Sequence, residues 1–234
     1  MKIKFHTNYS PNFDKKKRAK KQVKFIIIHY TGMKSEKKAL TRLTNIQSEV
    51  STHYLITQNG KITLLVPELY IAWHAGKSKW KKDNSLNNKS IGIEISNPGH
   101  SFGYKKYSKK QINALVILIK YLVKKYKISK KNILGHSDIA PERKKDPGEN
   151  FPWEYFSKKK LTIWHNIKQS KLKKLRRKNC TQLNKNKFLK YLFKIGYSKQ
   201  CTKFAIIAFQ RRFRPELIDG KIDQECLKIS RSLV

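Results

Sequence analysis

Val23 to Tyr30 (VKFIIIHY) is a short apolar run rich in β-branched residues. So little polar alternation predicts a buried central strand. Ser90 to Ser96 (SIGIEIS) alternates and predicts a second strand, with Glu94 near its end. Between them, His53 to Gln58 and Lys61 to Pro67 flank Asn59-Gly60, a hairpin pattern. Ile133-Leu134 predicts a short strand leading into His136. Helical spacing takes over elsewhere. Ser35 can cap a helix to about Glu49, with Ala39, Leu40, Leu43 and Ile46 on one face. Ser108 opens a longer helix to about Tyr126, and Pro152 to about Lys174 reads as another.

Before Lys21 the pattern is irregular, with a turn at Ser10-Pro11-Asn12 and a charged loop from Lys15. After the basic stretch Lys171 to Lys178 it is helical only: Phe188 to Ile195, Thr202 to Arg212 and Asp223 to Leu233. Gly196-Tyr197 and Asp219-Gly220 separate these helices. The expectation is an α/β domain over residues 1–175, then a three-helix bundle over 180–234 small enough to fold alone.

The 234 residues carry a formal charge of +39, spread along the whole chain rather than in one arm. That field suits an anionic polymer, an acidic peptide or nucleic acid, and equally a lysine-rich solvated surface. No motif with base-reading or aromatic spacing supports nucleic acid. Cys180, Cys201 and Cys226 form no CxxC pair, which argues against a disulfide framework or a cysteine metal site. Cys201 and Cys226 could pair, but reduced cysteines are the expectation. No apolar run is long enough to span a membrane, and no signal peptide is visible at the N-terminus. A cytoplasmic protein is therefore expected, with periplasm or cell envelope as the alternative.

The candidate chemistry gathers between Gly135 and Trp153 (GHSDIAPERKKDPGENFPW). His136 and Asp146 sit on a loop stiffened by Pro141 and Pro147, a donor pair suited to zinc. His29, at the end of the apolar strand, is the best third donor. A His₂Asp set leaves a position open, as catalytic zinc requires. The residues alone leave a satisfied core histidine as an equal alternative. Glu94, a carboxylate in an apolar strand, is the candidate general base, and an exposed edge-strand glutamate is the competing reading. Lys144, two residues before Asp146, could steady an oxyanion or be one more surface lysine. His53, Tyr54, Trp73 and His74 could line a groove for sugar and peptide. Trp80, Trp153 and Trp164 are expected to pack.

Several stretches together resemble the zinc-dependent N-acetylmuramoyl-L-alanine amidases that share the fold of peptidoglycan recognition proteins and short phage endolysins. They are SPNFD, IIIHYTGM, HYLI with its NG hairpin, AWHAG, SIGIEISNPGH with FGY, and GHSDIAPERKKDPGENFPW, in family order over about residues 10–165. The resemblance implies a mixed central β-sheet flanked by helices and one Zn²⁺ per chain on His29, His136 and Asp146. It implies Glu94 as acid/base and Lys144 as electrophilic helper. Asn97, in SIGIEISNPGH, joins His53, Tyr54, Trp73 and His74 as an expected substrate contact.

The implied activity is hydrolysis of the amide between N-acetylmuramic acid, or its 1,6-anhydro form, and L-alanine of the stem peptide. The alternative is a protein that recognises muropeptide without cleaving it. A monomer is expected, with peptidoglycan or muropeptide as its partner. The loop Trp80 to Asn87 lacks an expected Arg-Gly, which puts substrate fit in question. Leu192, Gly196-Tyr197, Ala208-Phe209-Gln210 and Asp219-Gly220 resemble a three-helix peptidoglycan-binding domain.

Overall fold

The computed structural model describes residues 5–234; Met1 to Lys4, the start of the basic N-terminal segment, lie outside the described residues. In chain order the elements are β1 (His6–Thr7), β2 (Phe13–Asp14), β3 (Phe25–Tyr30), α1 (Glu36–Thr44), β4 (Tyr54–Ile56), β5 (Ile62–Leu64), β6 (Ile71–Ala72), β7 (Lys79–Trp80), β8 (Asp83–Asn84) and β9 (Ser90–Ile95). Then come α2 (Lys109–Tyr126), β10 (Ile133–Gly135), α3 (His136–Ile139), α4 (Trp153–Lys158), α5 (Gln169–Leu175), α6 (Gln182–Ile195), α7 (Thr202–Phe213) and α8 (Gln224–Ser232).

The central sheet has six strands in the order β1-β5-β4-β9-β3-β10. It is mixed: β4 and β5 pair antiparallel, while β4, β9, β3 and β10 run parallel to one another. The β4–β5 hairpin forms as expected, but over the five-residue connection Thr57 to Lys61. Gly60 N–H donates to Thr57 O at 2.9 Å, and Gly60 alone in that loop has positive φ, 84°. The Ser108 cap is present, with Gln111 closing a capping box.

The reason β3 is apolar on both sides is visible in its packing. Ile26 and Ile28 pack with Ile91, Ile93, Leu115, Ile119 and Leu122 in one cluster. Phe25 and Ile27 point the other way, into a cluster with Leu134, Phe188, Leu192, Tyr197, Phe209 and Phe213. A helix layer built on α2 covers one face, and the C-terminal bundle covers part of the other. A parallel sheet needs both faces covered, and here the bundle supplies apolar surface for the second. The core therefore runs without interruption from the sheet into the bundle.

One expectation changes. The helix expected from Pro152 to Lys174 is broken. It stops at Lys158, turns at Lys160 (φ 62°) and resumes only at Gln169. Leu161 packs in the first cluster and Ile163 and Ile167 against the second, so the segment crosses from one to the other. The Trp80–Asn87 loop takes part in a small hairpin, β7–β8, that docks on the bundle. Lys81 N–H donates to Gly196 O at 2.8 Å, and a Cβ at Gly196 would lie 2.3 Å from Trp80 Cε2. Trp80 and Trp153 are buried, as expected. The cysteines are unpaired: Cys180 and Cys226 are buried, and the Cys201 thiol donates to Glu142 Oε2 at 2.5 Å.

Candidate active site

Three adjacent parallel strands, β9, β3 and β10, end at one place. Ligand crevices form at such carboxyl ends in open α/β sheets. Glu94 on β9 lies in register with His29 on β3, so the two side chains leave the same face as neighbours. His136 begins α3 immediately after β10. Asp146 returns beneath it, where Ser137 N–H donates to Asp146 O at 2.9 Å. A cleft of about 450 Å³ opens over these residues, lined also by Tyr30, Arg42, His74, His100, Arg143 and Lys144.

The ligand atoms converge tightly. His29 Nδ1 lies 2.9 Å from His136 Nδ1 and 3.0 Å from Asp146 Oδ2, and His136 Nδ1 lies 3.1 Å from the same Oδ2. Their partners assign the protons. Ser90 Oγ–H donates to Leu86 O at 2.6 Å, so the Ser90 oxygen can only accept from His74 Nε2–H, 3.1 Å away. Neutral His74 then has a bare Nδ1, which accepts from His29 Nε2–H at 3.0 Å. That leaves His29 Nδ1 bare.

On the other side, His136 Nε2–H donates to Ala75 O at 3.1 Å, so neutral His136 also presents a bare Nδ1. Burial, then neighbouring His136, lowers His29 to about 4, and burial with His29 and His53 keeps His74 neutral too. Two imidazole lone pairs and a carboxylate oxygen facing one another repel unless a cation sits among them. Tetrahedral zinc with bonds of ~2.0–2.1 Å sets donor separations of roughly 3.3 Å, close to those seen. These three residues form a group able to hold a metal ion.

Beside them, Glu94 Oε2 is shut off from solvent and has no hydrogen-bond partner. Burial, then Asp146, raises Glu94 to about 8, with Lys144 and Arg42 partly offsetting. A carboxyl of that kind can take and return a proton near neutrality. Lys144 lines the same cleft.

The expected substrate contacts fare differently. His74 borders the cleft, but its ring is committed to His29 and Ser90. It fits where it does because Gly92 has no side chain: a Cβ there would lie 2.5 Å from His74 Cγ. His53 is fully buried, accepting from Gly92 N–H at 3.0 Å through Nδ1. Tyr54 is buried on the opposite face of the sheet and donates to Glu68 Oε1. Trp73 lies away from the cleft, where its indole N–H donates to Asp14 Oδ1 at 2.7 Å. Asn97 is buried and braces the following loop, its Nδ2 donating to Lys105 O at 2.8 Å. Burial and internal partners hold His53, Tyr54 and Asn97 out of the cleft, and half-buried Trp73 is not among the residues that line it.

Arg42, Arg143 and Ser90 went unnoticed in the sequence. Ser90, Gly92 and Glu94 share a strand face by their period of two, and that spacing was a usable signal. Arg143 stood next to Lys144, yet nothing local marks its donation to the Ala75 and Lys77 carbonyls, the latter at 2.6 Å.

The chain is similar to cell-wall amidases along most of its length. Over 231 residues the chain is 36% identical to N-acetylmuramoyl-L-alanine amidase AmiD of Escherichia coli, covering 91% of this chain and 83% of AmiD. It is 34% identical over 165 residues to 1,6-anhydro-N-acetylmuramyl-L-alanine amidase AmpD of Haemophilus influenzae, covering 63% of this chain and 87% of AmpD. The solved complex of E. coli AmiD with anhydro-N-acetylmuramic acid-L-Ala-D-γ-Glu-L-Lys superposes with a TM-score of 0.79 at 33% identity, over 91% of this chain and 88% of that one. AmpDh3 of Pseudomonas aeruginosa superposes with a TM-score of 0.78 at 32% identity, over 91% of each chain. Residues 19–149 match Amidase_2, the N-acetylmuramoyl-L-alanine amidase family, and the chain belongs to it.

Proposed function

We propose that the chain is a zinc amidase whose metal is held by His29 Nδ1, His136 Nδ1 and Asp146 Oδ2. The reaction is hydrolysis of the amide between N-acetylmuramic acid and L-alanine of the stem peptide. The observation that carries the zinc reading is the convergence of three bare donor atoms beside a carboxylate oxygen with no partner. Bound there, zinc would supply Lewis acidity toward the scissile carbonyl and the attacking water.

The chain's own groups do the rest. Glu94 takes the water's proton and delivers it to the departing alanine nitrogen. Lys144, from the cleft wall, offsets the negative charge that grows on the carbonyl oxygen. Arg42, Arg143 and Lys145 line the same cleft and suit the carboxylates of a stem peptide. Every group in this scheme comes from one chain, so a single copy suffices for catalysis.

The relatives indicate which substrate to try first. E. coli AmiD is solved with an anhydro-muramyl tripeptide and P. aeruginosa AmpDh3 with an anhydromuramic pentapeptide. This chain is proposed to act on the same class, 1,6-anhydro-muropeptides in cell-wall turnover and recycling. The C-terminal bundle, by its resemblance to peptidoglycan-binding helices, is proposed to hold wall polymer. No helix among the described residues is long and apolar enough to cross a membrane.

The test is stem-peptide release from soluble anhydro-muropeptide and from intact sacculi, with and without zinc, using the parent and Glu94→Gln. Glu94→Gln is expected to keep one zinc per chain and lose roughly 10²–10⁴ in turnover. Release that persists after complete zinc removal would sink the metal reading. Release from sacculi supports a wall-binding role for the bundle, and release from fragments alone removes it. Zinc bound with release from neither substrate would favour recognition without cleavage.

A further inference from the structure

Asp138 lies two residues beyond His136, is 1% exposed and faces away from the cleft chemistry. Its carboxylate accepts from Gly135 N–H at 2.8 Å through Oδ2, from Tyr197 OH at 2.6 Å through Oδ1, and from Arg212 Nη1 at 2.5 Å through Oδ2. The other arm of the same guanidinium, Nη2, donates to Ile133 O at 3.2 Å. One buried arginine thus grips the chain on both sides of the turn that presents His136. Its face lies 4.0 Å from the Trp153 ring centroid, so the guanidinium is packed as well as bonded. Tyr197 and Arg212 both belong to the C-terminal bundle.

Stability alone does not explain this arrangement. Replacing a buried ion pair with apolar groups of similar volume is often neutral or stabilising. The pair provides direction instead: two fixed donors locate one main-chain carbonyl, Ile133 O, and one carboxylate, which in turn holds Gly135 N–H. A ligand histidine at a strand-to-helix turn needs such bracing, because metal sites tolerate displacements of only about 0.5 Å. We infer that Tyr197 and Arg212 are positioning residues of the metal centre, holding Asp138 and the β10–α3 backbone so that His136 Nδ1 meets His29 Nδ1. This rests on the proposed zinc ligation. It makes the bundle part of the catalytic apparatus, whatever polymer its outer surface binds.

The experiment uses the full chain and four variants, at a temperature where all are folded. Tyr197→Phe removes one hydroxyl, and Arg212→Lys and Arg212→Met remove the fork. Phe188→Leu loosens the bundle core without touching Asp138. Chelator competition measures zinc affinity, and hydrogen exchange follows the Gly135 and His136 amides in the metal-free chain. Tyr197→Phe and either Arg212 variant are expected to weaken zinc about ten-fold and speed exchange at Gly135. Phe188→Leu should lower the melting temperature and leave both readouts unchanged. Parent-like zinc affinity and exchange in Tyr197→Phe and Arg212→Lys would overturn the inference, as would an equal loss of affinity in Phe188→Leu. A parent that bound no zinc would defeat the zinc reading instead, while the exchange data still decided whether the bundle braces the turn.

Discussion

His29 and His136 bring the same atom, a bare Nδ1, to one point, but different kinds of structure hold them there. His29 stands at the end of β3, between β9 and β10, and its backbone position is inherited from strand register. Its ring is locked by a string of side chains, His74 and then Ser90, that ends on Leu86 O. His136 stands where β10 passes into a one-turn helix, a place the sheet does not fix. Its ring is locked by a main-chain carbonyl, Ala75 O, and its backbone by Asp138, whose other partners come from beyond residue 149, where the family match ends. A residue inside a sheet needs only its ring oriented. A residue at a turn needs its backbone tethered as well.

The comparison breaks most sharply if the two histidines are not equivalent ligands. His29→Ala and His136→Ala should each abolish stoichiometric zinc binding. Each should cost about 10³ or more in turnover, since Lewis-acid stabilisation is worth several kcal/mol. Zinc content by metal analysis and peptide release check this together. A variant that keeps one zinc per chain would show that its histidine is no ligand.

What was legible in the sequence follows the same division. The apolar run into His29, the alternation around Glu94 and the proline-fixed loop around Asp146 are local patterns, and each led to a residue the structure brings to the cleft. The expected substrate contacts were harder to read, because a motif reports proximity and not facing. His53 and Tyr54 are adjacent at the start of β4, yet one backs onto His74 and the other onto the opposite core, and neither lines the cleft. Tyr197 and Arg212 were invisible as partners of the site because their contacts with Asp138 span 59 and 74 residues. The bundle looked independent because its helices have regular periods. The packing of Phe25, Ile27, Trp80 and Leu134 into it shows the shared core.

A finer test asks whether the two supports are independent. His74→Phe removes both ring nitrogens from the string behind His29, and Ser90→Ala removes its far end. His74→Phe should weaken zinc roughly 10- to 100-fold, with Ser90→Ala milder. Neither should change hydrogen exchange at Gly135. Combined with Tyr197→Phe, the losses in zinc affinity should add to within about 0.5 kcal/mol, because the supports share no partner. Strong non-additivity in chelator competition would mean that the two histidines are held by one coupled network.

The smallest effect concerns the protons on the two in-register neighbours, His29 and Glu94, in the metal-free chain. His29 is lowered to about 4, so between there and its ordinary 6.5 the unfolded chain binds more protons, and stability falls as pH drops through that window. Glu94 is raised to about 8, so between its ordinary 4.5 and 8 the folded chain binds more protons, and stability falls as pH rises. The two groups therefore penalise opposite ends of the range. Glu94→Gln should match the parent near pH 4.5 and exceed it above pH 8 by about 2 kcal/mol, less than the full shift implies because a metal-free pocket admits water. Denaturant midpoints measured across that range check the crossover. With zinc bound the gain should shrink, since a cation beside the carboxylate favours its charged form. A gain of equal size with and without zinc would mean that Glu94 does not sense the metal, and would remove it from the role of general base.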